Sequence, residues 1–319
     1  MNLSDFLYTL FGAFENQNIQ YAVIRNYAEL PFHNSSKDID VLVDKKTLPQ
    51  IYNILFAIKE ISIVQITKRT YVHNVYIYNI KDRSLNSLQL DLILEFEWKG
   101  VRYLDPQLVL KNAVKYNNIN VISEYDEMLV LFFGKYILHG ILKNEYTLLI
   151  KKVANENLQN ISKALSFIVN EKITEEKFKL FLETNILSFD RNTLKKKLFF
   201  HFFSKNPVKT ICRYFKHIST EFLIRVSHST KYILLIDKSF TLSEIKPEIE
   251  HTTKIFVVFN PSEKFKLFLY YVFFPVKNHT TFIIQSKSKF PFIKNQFYLD
   301  KKEYLDKYIQ KRSSKIRDI

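Results

Sequence analysis

Two aspartates with the spacing of a β-strand are the residues of this sequence best suited to chemistry. The segment "SSKDIDVLVD", residues 35–44, places Asp38 and Asp40 two positions apart in what otherwise reads as a buried strand. Alternate residues of a strand point to the same face, so both carboxylates leave one face while Ile39, Val41 and Val43 point into the core. Because an unpaired buried charge is costly, such a pair needs a neutralising partner.

A third carboxylate on a later strand would complete a metal site. On the strand predicted for residues 87–96 four leucines at alternate positions, 88 to 94, form the inward set, so Asp91 lies on the opposite face with Gln89 and Glu95. If the two strands are neighbours, three carboxylates converge, and their mutual repulsion favours a divalent cation. Oxygen ligands of this kind suit Mg²⁺ or Mn²⁺. In phosphoryl-type transfer such a cation clamps the attacking and leaving oxygens, and the third carboxylate can help deprotonate the attacking hydroxyl.

The alternative interpretation is a solvated edge strand that carries ordinary surface acids. Acids two positions apart also occur at Glu95/Glu97, Glu124/Asp126 and Glu248/Glu250. The pair at 38 and 40 is nevertheless the only Asp-x-Asp in the sequence. It is also the only such pair that leads directly into a buried-looking strand with a third acid available on a later one.

The elements around these acids follow an α+β order. Apolar residues at helical spacing predict helices over 4–17, capped by Ser4, and over 47–60, with Pro49 in the first turn. Strands are predicted at 21–25, 39–43, 61–66, 70–80 and 87–96. We therefore expect an α+β domain over residues 1–122.

The remainder of the chain changes character twice. Residues 123–142 begin with "SEYD", a capping box, and continue as an apolar helix, and helical signals extend to about residue 225. Three apolar segments separated by helix-length stretches then predict a small parallel sheet: 231–237, 254–260 and 280–286. We expect a helical region over 123–225 and an α/β domain over 226–319.

Glycine is scarce, and its scarcity excludes two classes of nucleotide-binding protein. The sequence has four glycines, and none lies between residues 151 and 319. A P-loop or a dinucleotide fingerprint needs several glycines within a few residues, so that backbone amides can approach the phosphates. The composition therefore excludes an active P-loop kinase and a Rossmann dehydrogenase.

Charge is distributed unevenly along the chain. The net charge is +15, yet residues 1–150 contain 15 Lys and Arg against 16 acids, whereas residues 151–319 contain 32 against 16. Such asymmetry suggests an anionic partner, although compositional bias explains it equally well. The basic and aromatic segment 194–217 could lie on an anionic membrane surface or form an ordinary helix pair. No specific nucleic acid is predicted.

The sequence predicts a cytoplasmic protein, located at the inner face of the membrane if segment 194–217 binds lipid. The single cysteine, Cys212, fits a reducing compartment, and the first residues lack the pattern of a signal peptide. The longest apolar run near the C-terminus, "LFLYYVFFPV", is about half the length needed to span a bilayer.

The order "YAVIRNYAELP", "KDIDVLV" and "LQLDLI" resembles the nucleotidyltransferase fold of the polymerase-beta-like superfamily. In that fold a short strand and turn precede Asp-x-Asp, and a third acid lies on a later strand. More narrowly, "IRNYAELP" followed by "DIDVLV" is similar to nucleotidyltransferase-like proteins of bacterial capsule and lipopolysaccharide gene clusters, some of which carry a thymidylate-kinase-like domain behind the first. The resemblance covers residues 1–145 well, and it implies that Asp38 and Asp40 are metal ligands and Asp91 the third carboxylate.

The sequence departs from this family in two places. Where the superfamily has a Gly-Gly or Gly-Ser turn that holds nucleotide phosphates, this chain has Arg25-Asn26. Asn tolerates a left-handed turn, and Arg25 could either bind a phosphate bidentately or form a salt bridge with one of the aspartates. After "KYILLID", where a kinase-like domain carries its phosphate loop, the chain reads "KSFTLSEI". The C-terminal domain is therefore expected to be a degenerate kinase-like scaffold or recognition module.

Lys135 and His139 are weaker candidates for phosphate binding. They lie four residues apart on the helix predicted over 123–142, so they share a face and could meet a substrate phosphate. The alternative is a polar stripe on a mostly buried helix.

The resemblance implies a metal-dependent nucleotidyl- or phosphoalditol-type transferase of bacterial surface-polysaccharide biosynthesis. Its donor would be a nucleotide or nucleotide-linked group, and its acceptor a sugar or lipid-linked glycan. One alternative is a non-catalytic module that binds a nucleotide or glycan in the same pathway. Another is a toxin–antitoxin-type nucleotidyltransferase that modifies protein or tRNA.

Overall fold

The computed structural model describes residues 1–34, 36, 38–80 and 87–226, and the backbone of four later strands. It is a mixed α/β protein. The part that contains the acids is built from helices α1 (Leu3–Asn16), α2 (Leu48–Ala57) and α3 (Pro106–Lys111) and from strands β1 (Tyr21–Val23), β2 (Asp38–Val43), β3 (Ser62–Lys68), β4 (Val72–Tyr78), β5 (Ser87–Ile93), β6 (Phe96–Trp98), β7 (Val101–Leu104), β8 (Val114–Tyr116) and β9 (Ile119–Val121).

Seven of these strands form one mixed sheet in the order β3-β4-β5-β2-β1-β9-β8. Strand β2 lies between antiparallel β1 and parallel β5, and β5 pairs with antiparallel β4 on its other side. Although β3 and β4 separate β5 from β2 in sequence, the chain crosses back and inserts β5 beside β2. This crossover places the segment that contains Asp38 and Asp40 next to the segment that contains Asp91.

Apolar side chains pack on both faces of the sheet. Helices α1 and α2 cover one face, where Ile39, Val41 and Val43 are buried with the α1 phenylalanines. The other face packs Ala22, Leu42 and neighbouring residues against α3. The inward leucines predicted on and just after β5 are confirmed, since none is more than 2% exposed: Leu88, Leu90, Leu92 and Leu94. Burial of each such side chain stabilises the fold by roughly 1.5–3 kcal/mol.

The first two helices begin close to where the sequence places them, with one correction. The prediction of Ser4 as the N-cap of α1 is wrong, because Asn2 occupies that position and its side-chain oxygen accepts a hydrogen bond from the backbone N–H of Asp5 at 2.7 Å. The cap can lie two residues earlier because Asn serves as well as Ser in this role. Pro49 lies in the first turn of α2, as predicted.

The helix predicted over residues 123–142 is two segments of different geometry. Ser123 caps α4 (Glu124–Val130) by accepting a hydrogen bond from the N–H of Asp126, which confirms the predicted start of the helix. The chain then continues as a π-helix, Leu131–His139, and ends at Gly140 in the left-handed conformation. The predicted helix is therefore present over residues 124–139, and the sequence does not predict its change to π geometry. The wider π turn carries Gly134 against the Tyr103 hydroxyl, where an added Cβ would lie 3.1 Å from that oxygen.

Four further helices form the middle of the chain: α5 (Asn144–Leu165), α6 (Glu171–Thr184), α7 (Arg191–Lys205) and α8 (Pro207–Val226). Apolar residues of α5, α6 and α7 pack with the π-helix into a separate core rich in phenylalanine. Among the described residues, no helix is both long and apolar enough to cross a membrane. The predicted domain boundaries at 122 and 225 stay predictions.

The C-terminal strands form a second, parallel sheet. Strands β10 (Lys231–Ile236), β11 (Ile255–Phe259), β12 (Thr280–Gln285) and β13 (Gln296–Leu299) follow the order β11-β12-β10-β13. Every pairing is parallel, which confirms the predicted parallel arrangement of the three apolar segments. The segments between them, including "KSFTLSEI", lie outside the described residues, so the predicted loss of a phosphate loop stays a prediction.

Candidate metal centre

The sheet brings together the three carboxylates that the sequence singles out. Asp40 on β2 stands directly opposite Asp91 on β5, and Asp38 precedes Asp40 on the same face. One carboxylate oxygen from each of the three lies within 4.8 Å of the others. Within the described part of the chain, this is the one group of three acid, His or Cys side chains close enough to share an ion. We call it the acid cluster.

Burial makes the acid cluster electrostatically unfavourable without a cation. Asp40 and Asp91 are each 8% exposed. The net pKa of Asp91 is raised to about 6, first by burial and then by Asp40 and Asp38, against the hydrogen bonds from Asn74 and Gln89 that lower it. The pKa of Asp40 is also raised, first by burial and against the effect of Arg25. A divalent ion would offset both the desolvation and the repulsion, and the all-oxygen donor set fits Mg²⁺ or Mn²⁺.

Neighbouring polar side chains fix the orientation of these carboxylates. Asn74 donates to Oδ1 of Asp91 at 2.7 Å, and Gln89 donates to the same oxygen at 2.6 Å. Ser36 donates its hydroxyl to Oδ1 of Asp38 at 2.7 Å. The sequence predicts Gln89 on this face but not Asn74. The alternation of Asn74 with apolar Val75 and Ile77 on β4 is the signal that could have placed it there.

The Arg25-Asn26 turn lies at the edge of the acid cluster. The Nε of Arg25 donates to Oδ2 of Asp40 in a partly buried ion pair, so the salt bridge that the sequence left open is present. Asn26 has φ +56°, in the left-handed region that Asn tolerates better than most residues. The turn therefore adopts the conformation expected at this place, while its role in phosphate binding stays a prediction.

Lys135 and His139, the two candidates for phosphate binding on the π-helix, have different surroundings. Lys135 is half-buried, and its pKa is lowered by burial and by Arg25, while Asp40 and Asp38 act in the opposite direction. Its ammonium group is thus part of the electrostatic environment of the acid cluster. His139 is exposed, and its pKa is lowered by partial burial and then by Lys135 and Lys195. The role of Lys135 and His139 in phosphate binding stays a prediction.

Two further groups connect the acid cluster to the surrounding helices. Tyr27, just after the Arg25-Asn26 turn, donates its hydroxyl to Glu127 of α4 at 2.9 Å. Arg69, which follows β3, donates to the Asn74 side chain and, through Nε, to Glu221 of α8 at 3.0 Å. Sequence reasoning missed both connections because their partners are 100 or more residues apart in the chain.

Two solved structures from Helicobacter pylori are similar to this chain. The crystal structure of JHP933 shares 10% identity at a TM-score of 0.31, and the match covers 69% of this chain and 94% of that chain. The crystal structure of a "putative nucleotidyltransferase" shares 15% identity at a TM-score of 0.32, covering 67% of this chain and 94% of that one. Neither a family model nor a curated protein matches the sequence. We therefore infer the function from the geometry of the acid cluster.

Proposed function

We propose that the protein is a metal-dependent transferase that moves a nucleotidyl or related phosphoryl group from a nucleotide donor to a hydroxyl acceptor. The observation that carries the proposal is the convergence of Asp38, Asp40 and Asp91 on one buried patch, with carboxylate oxygens within 4.8 Å. Three acids on adjacent strands destabilise a fold unless they bind a cation, and such oxygen-rich sites take phosphates as further ligands.

The residues around the patch can be assigned distinct tasks. Asp38, Asp40 and Asp91 would hold Mg²⁺ or Mn²⁺, which supplies charge stabilisation for a transferring phosphoryl group. Arg25 and Lys135 place cationic groups beside the acids, where donor phosphates would lie. Because Oδ1 of Asp91 already accepts two amide hydrogen bonds, its Oδ2 is the oxygen that would take a proton from the attacking hydroxyl.

The structure supports the identity of the acceptor less than it supports the metal site. A sugar or lipid-linked glycan hydroxyl in bacterial surface-polysaccharide assembly follows from the sequence resemblance alone. A non-catalytic nucleotide-binding module is the second candidate, and the ion pair between Arg25 and Asp40 favours it, because a carboxylate that is paired with a guanidinium is a weaker ligand for the ion that turnover would need. The two candidates share the metal site and differ in turnover.

Calorimetric titration with Mg²⁺ and Mn²⁺ tests the metal site directly. We expect the wild-type protein to bind, and Asp38→Asn, Asp40→Asn and Asp91→Asn each to lose at least about tenfold in affinity, because each removes a charged ligand. Asp5→Asn, which changes an exposed aspartate of α1, is the matched control and should bind as wild type. Aspartate variants that bind metal and nucleotide normally would refute the site.

Turnover is tested with nucleoside triphosphates and with CDP- and UDP-linked donors, each with and without Mg²⁺. Release of pyrophosphate or nucleoside monophosphate that requires Mg²⁺ and is lost in Asp91→Asn would support the transferase. Donor binding that requires Mg²⁺ but gives no product with any acceptor sugar would instead support the non-catalytic module.

A further inference from the structure

Helix α8 presents an apolar stripe on its outer side. Five residues repeat at intervals of three and four positions, and all are exposed, by 43% to 71%: Val208, Ile211, Phe215, Ile218 and Phe222. This spacing places them along one face of the helix. Within the described part of the chain nothing covers this stripe, and exposed apolar patches of such extent mark binding surfaces.

The inner side of α8 is held against the rest of the protein. Thr210 is buried, the ring of His217 lies tilted against that of Tyr71 with centroids 5.9 Å apart, and Glu221 pairs with Arg69. These residues occupy a different side of the helix from the apolar stripe, so the helix cannot rotate to bury the stripe without breaking their contacts. The stripe is a fixed outward feature of the fold.

The stripe continues into an open groove between α7, α8 and the β6–β7 hairpin. The groove has a volume of about 670 Å³, and aromatic side chains form most of its wall, among them Trp98, Phe199, Phe200, Phe203 and Phe215. Phe200 and Phe215 are about two-thirds exposed. Large exposed aromatic rings at the rim of a groove are typical of segments that insert into the boundary between lipid headgroups and acyl chains.

Positive charge surrounds this surface. Residues 191–226 contain nine Lys and Arg but a single acid, Glu221, which is already paired with Arg69. Lys195 and Lys99 lie over the ring of Trp98, at 4.3 and 5.0 Å from its centroid, and Lys196 also lines the groove. A second copy of the chain would bring like charges together, whereas an anionic surface complements them.

We propose that α7 and α8 dock on the surface of an anionic phospholipid bilayer, with the aromatic stripe and groove at the depth of the headgroups and the lysines on lipid phosphates. This inference is independent of the proposed transferase activity. Of the two interpretations of segment 194–217 that the sequence allows, it selects binding to a membrane surface. It also extends that surface to Phe222.

Vesicle flotation of the full-length protein is the first test. We expect it to float with vesicles of phosphatidylcholine and phosphatidylglycerol, not with phosphatidylcholine alone, and to be released by high salt. Phe200→Ser/Phe215→Ser/Phe222→Ser should abolish flotation, and Lys195→Gln/Lys196→Gln should weaken it several-fold. The matched controls are Leu148→Ser, an equally exposed apolar residue of α5, and Lys172→Gln/Lys179→Gln on α6; both should float as wild type.

Trp98 provides a readout that needs no variant. It is the only tryptophan of the chain and lines the groove, so its emission should shift to shorter wavelength with anionic vesicles and be quenched by lipids brominated on their acyl chains. Unchanged Trp98 emission together with no flotation at low salt would overturn the proposal. So would a wild-type dimer that the triple phenylalanine variant converts to a monomer, because a second copy would then be the occupant.

Discussion

Each carboxylate of the acid cluster has one oxygen engaged by the chain itself. Ser36 donates to Asp38, Arg25 pairs with Asp40, and two amides donate to Asp91. These contacts hold each group in one orientation, yet burial still raises the pKa of Asp40 and Asp91. The chain therefore preorganises the acids without neutralising them fully, which is the arrangement expected of a site completed by a cation.

Glu127, which accepts a hydrogen bond from Tyr27 next to the Arg25-Asn26 turn, gives a prediction about how stability depends on pH. Burial first, and then Glu124, raise the pKa of its carboxyl to about 7 from 4.5, against the hydrogen bond from Tyr27 and the charge of Arg25. A raised folded-state pKa adds stability below pH 4.5 that is lost as the pH rises through 7. Glu127→Gln removes the charge, so it should stabilise the protein above pH 7 by at most about 3 kcal/mol relative to its effect near pH 4.5.

Urea denaturation of both proteins across this pH range measures the difference. Glu156→Gln, which changes an exposed acid of α5, controls for the loss of one negative charge and should shift the stability little at any pH. If the curves of wild type and Glu127→Gln run parallel from pH 4.5 to above pH 7, the carboxyl is not held in an unfavourable environment.

Among the elements, the β6–β7 hairpin determines how close α8 can approach. Its turn residues, Lys99 and Gly100, both have positive φ, and a Cβ on Gly100 would lie 2.6 Å from the backbone nitrogen of Tyr214 on α8. Gly100→Ala should therefore cost about 2–3 kcal/mol, because it adds left-handed strain and a clash with backbone. Hydrogen exchange of the Tyr214 backbone amide should be faster in Gly100→Ala than in the wild-type protein.

The matched substitution is Gly12→Ala in the middle of α1. No atom lies within 4 Å of an added Cβ there, so the change should stabilise the protein by about 0.5–1 kcal/mol through helix propensity. Chemical denaturation of both variants compares them directly. Equal effects of the two alanines would show that the hairpin does not pack on α8 as described.

The sequence predicts the shared position of the three aspartates better than it predicts the strands and helices around them. Asp38, Asp40 and Asp91 follow from strand alternation, which is a local property. The insertion of β5 beside β2 is not local, because it depends on which strands pair after chain crossover. The hairpin of β8 and β9 was overlooked, although Asn117 and Asn118 carry the signal of a two-residue turn and both have positive φ. The π-helix has no comparable sequence signal.

At the scale of the whole molecule, a continuous polar path joins α8 to the acid cluster. Glu221 accepts from Arg69, Arg69 donates to Asn74, and Asn74 donates to Asp91. The first and last members of this path are separated by most of the helical region in sequence. Helix α8 therefore contacts the sheet through charge as well as packing, and its surface and the acid cluster are parts of one electrostatic system.

Glu221→Gln tests that coupling, on the premise that the acid cluster binds Mg²⁺. The substitution removes the anion that balances Arg69, whose guanidinium then acts on Asp91 through a single intervening side chain. We expect the Mg²⁺ affinity measured by calorimetry to fall about three- to tenfold, or roughly 1 kcal/mol of coupling free energy. Glu183→Gln, an exposed acid of α6, makes the same change in net charge far from this path and should leave the affinity unchanged. An equal loss in both variants would mean that Mg²⁺ responds to total charge and that the path from α8 carries no coupling of its own.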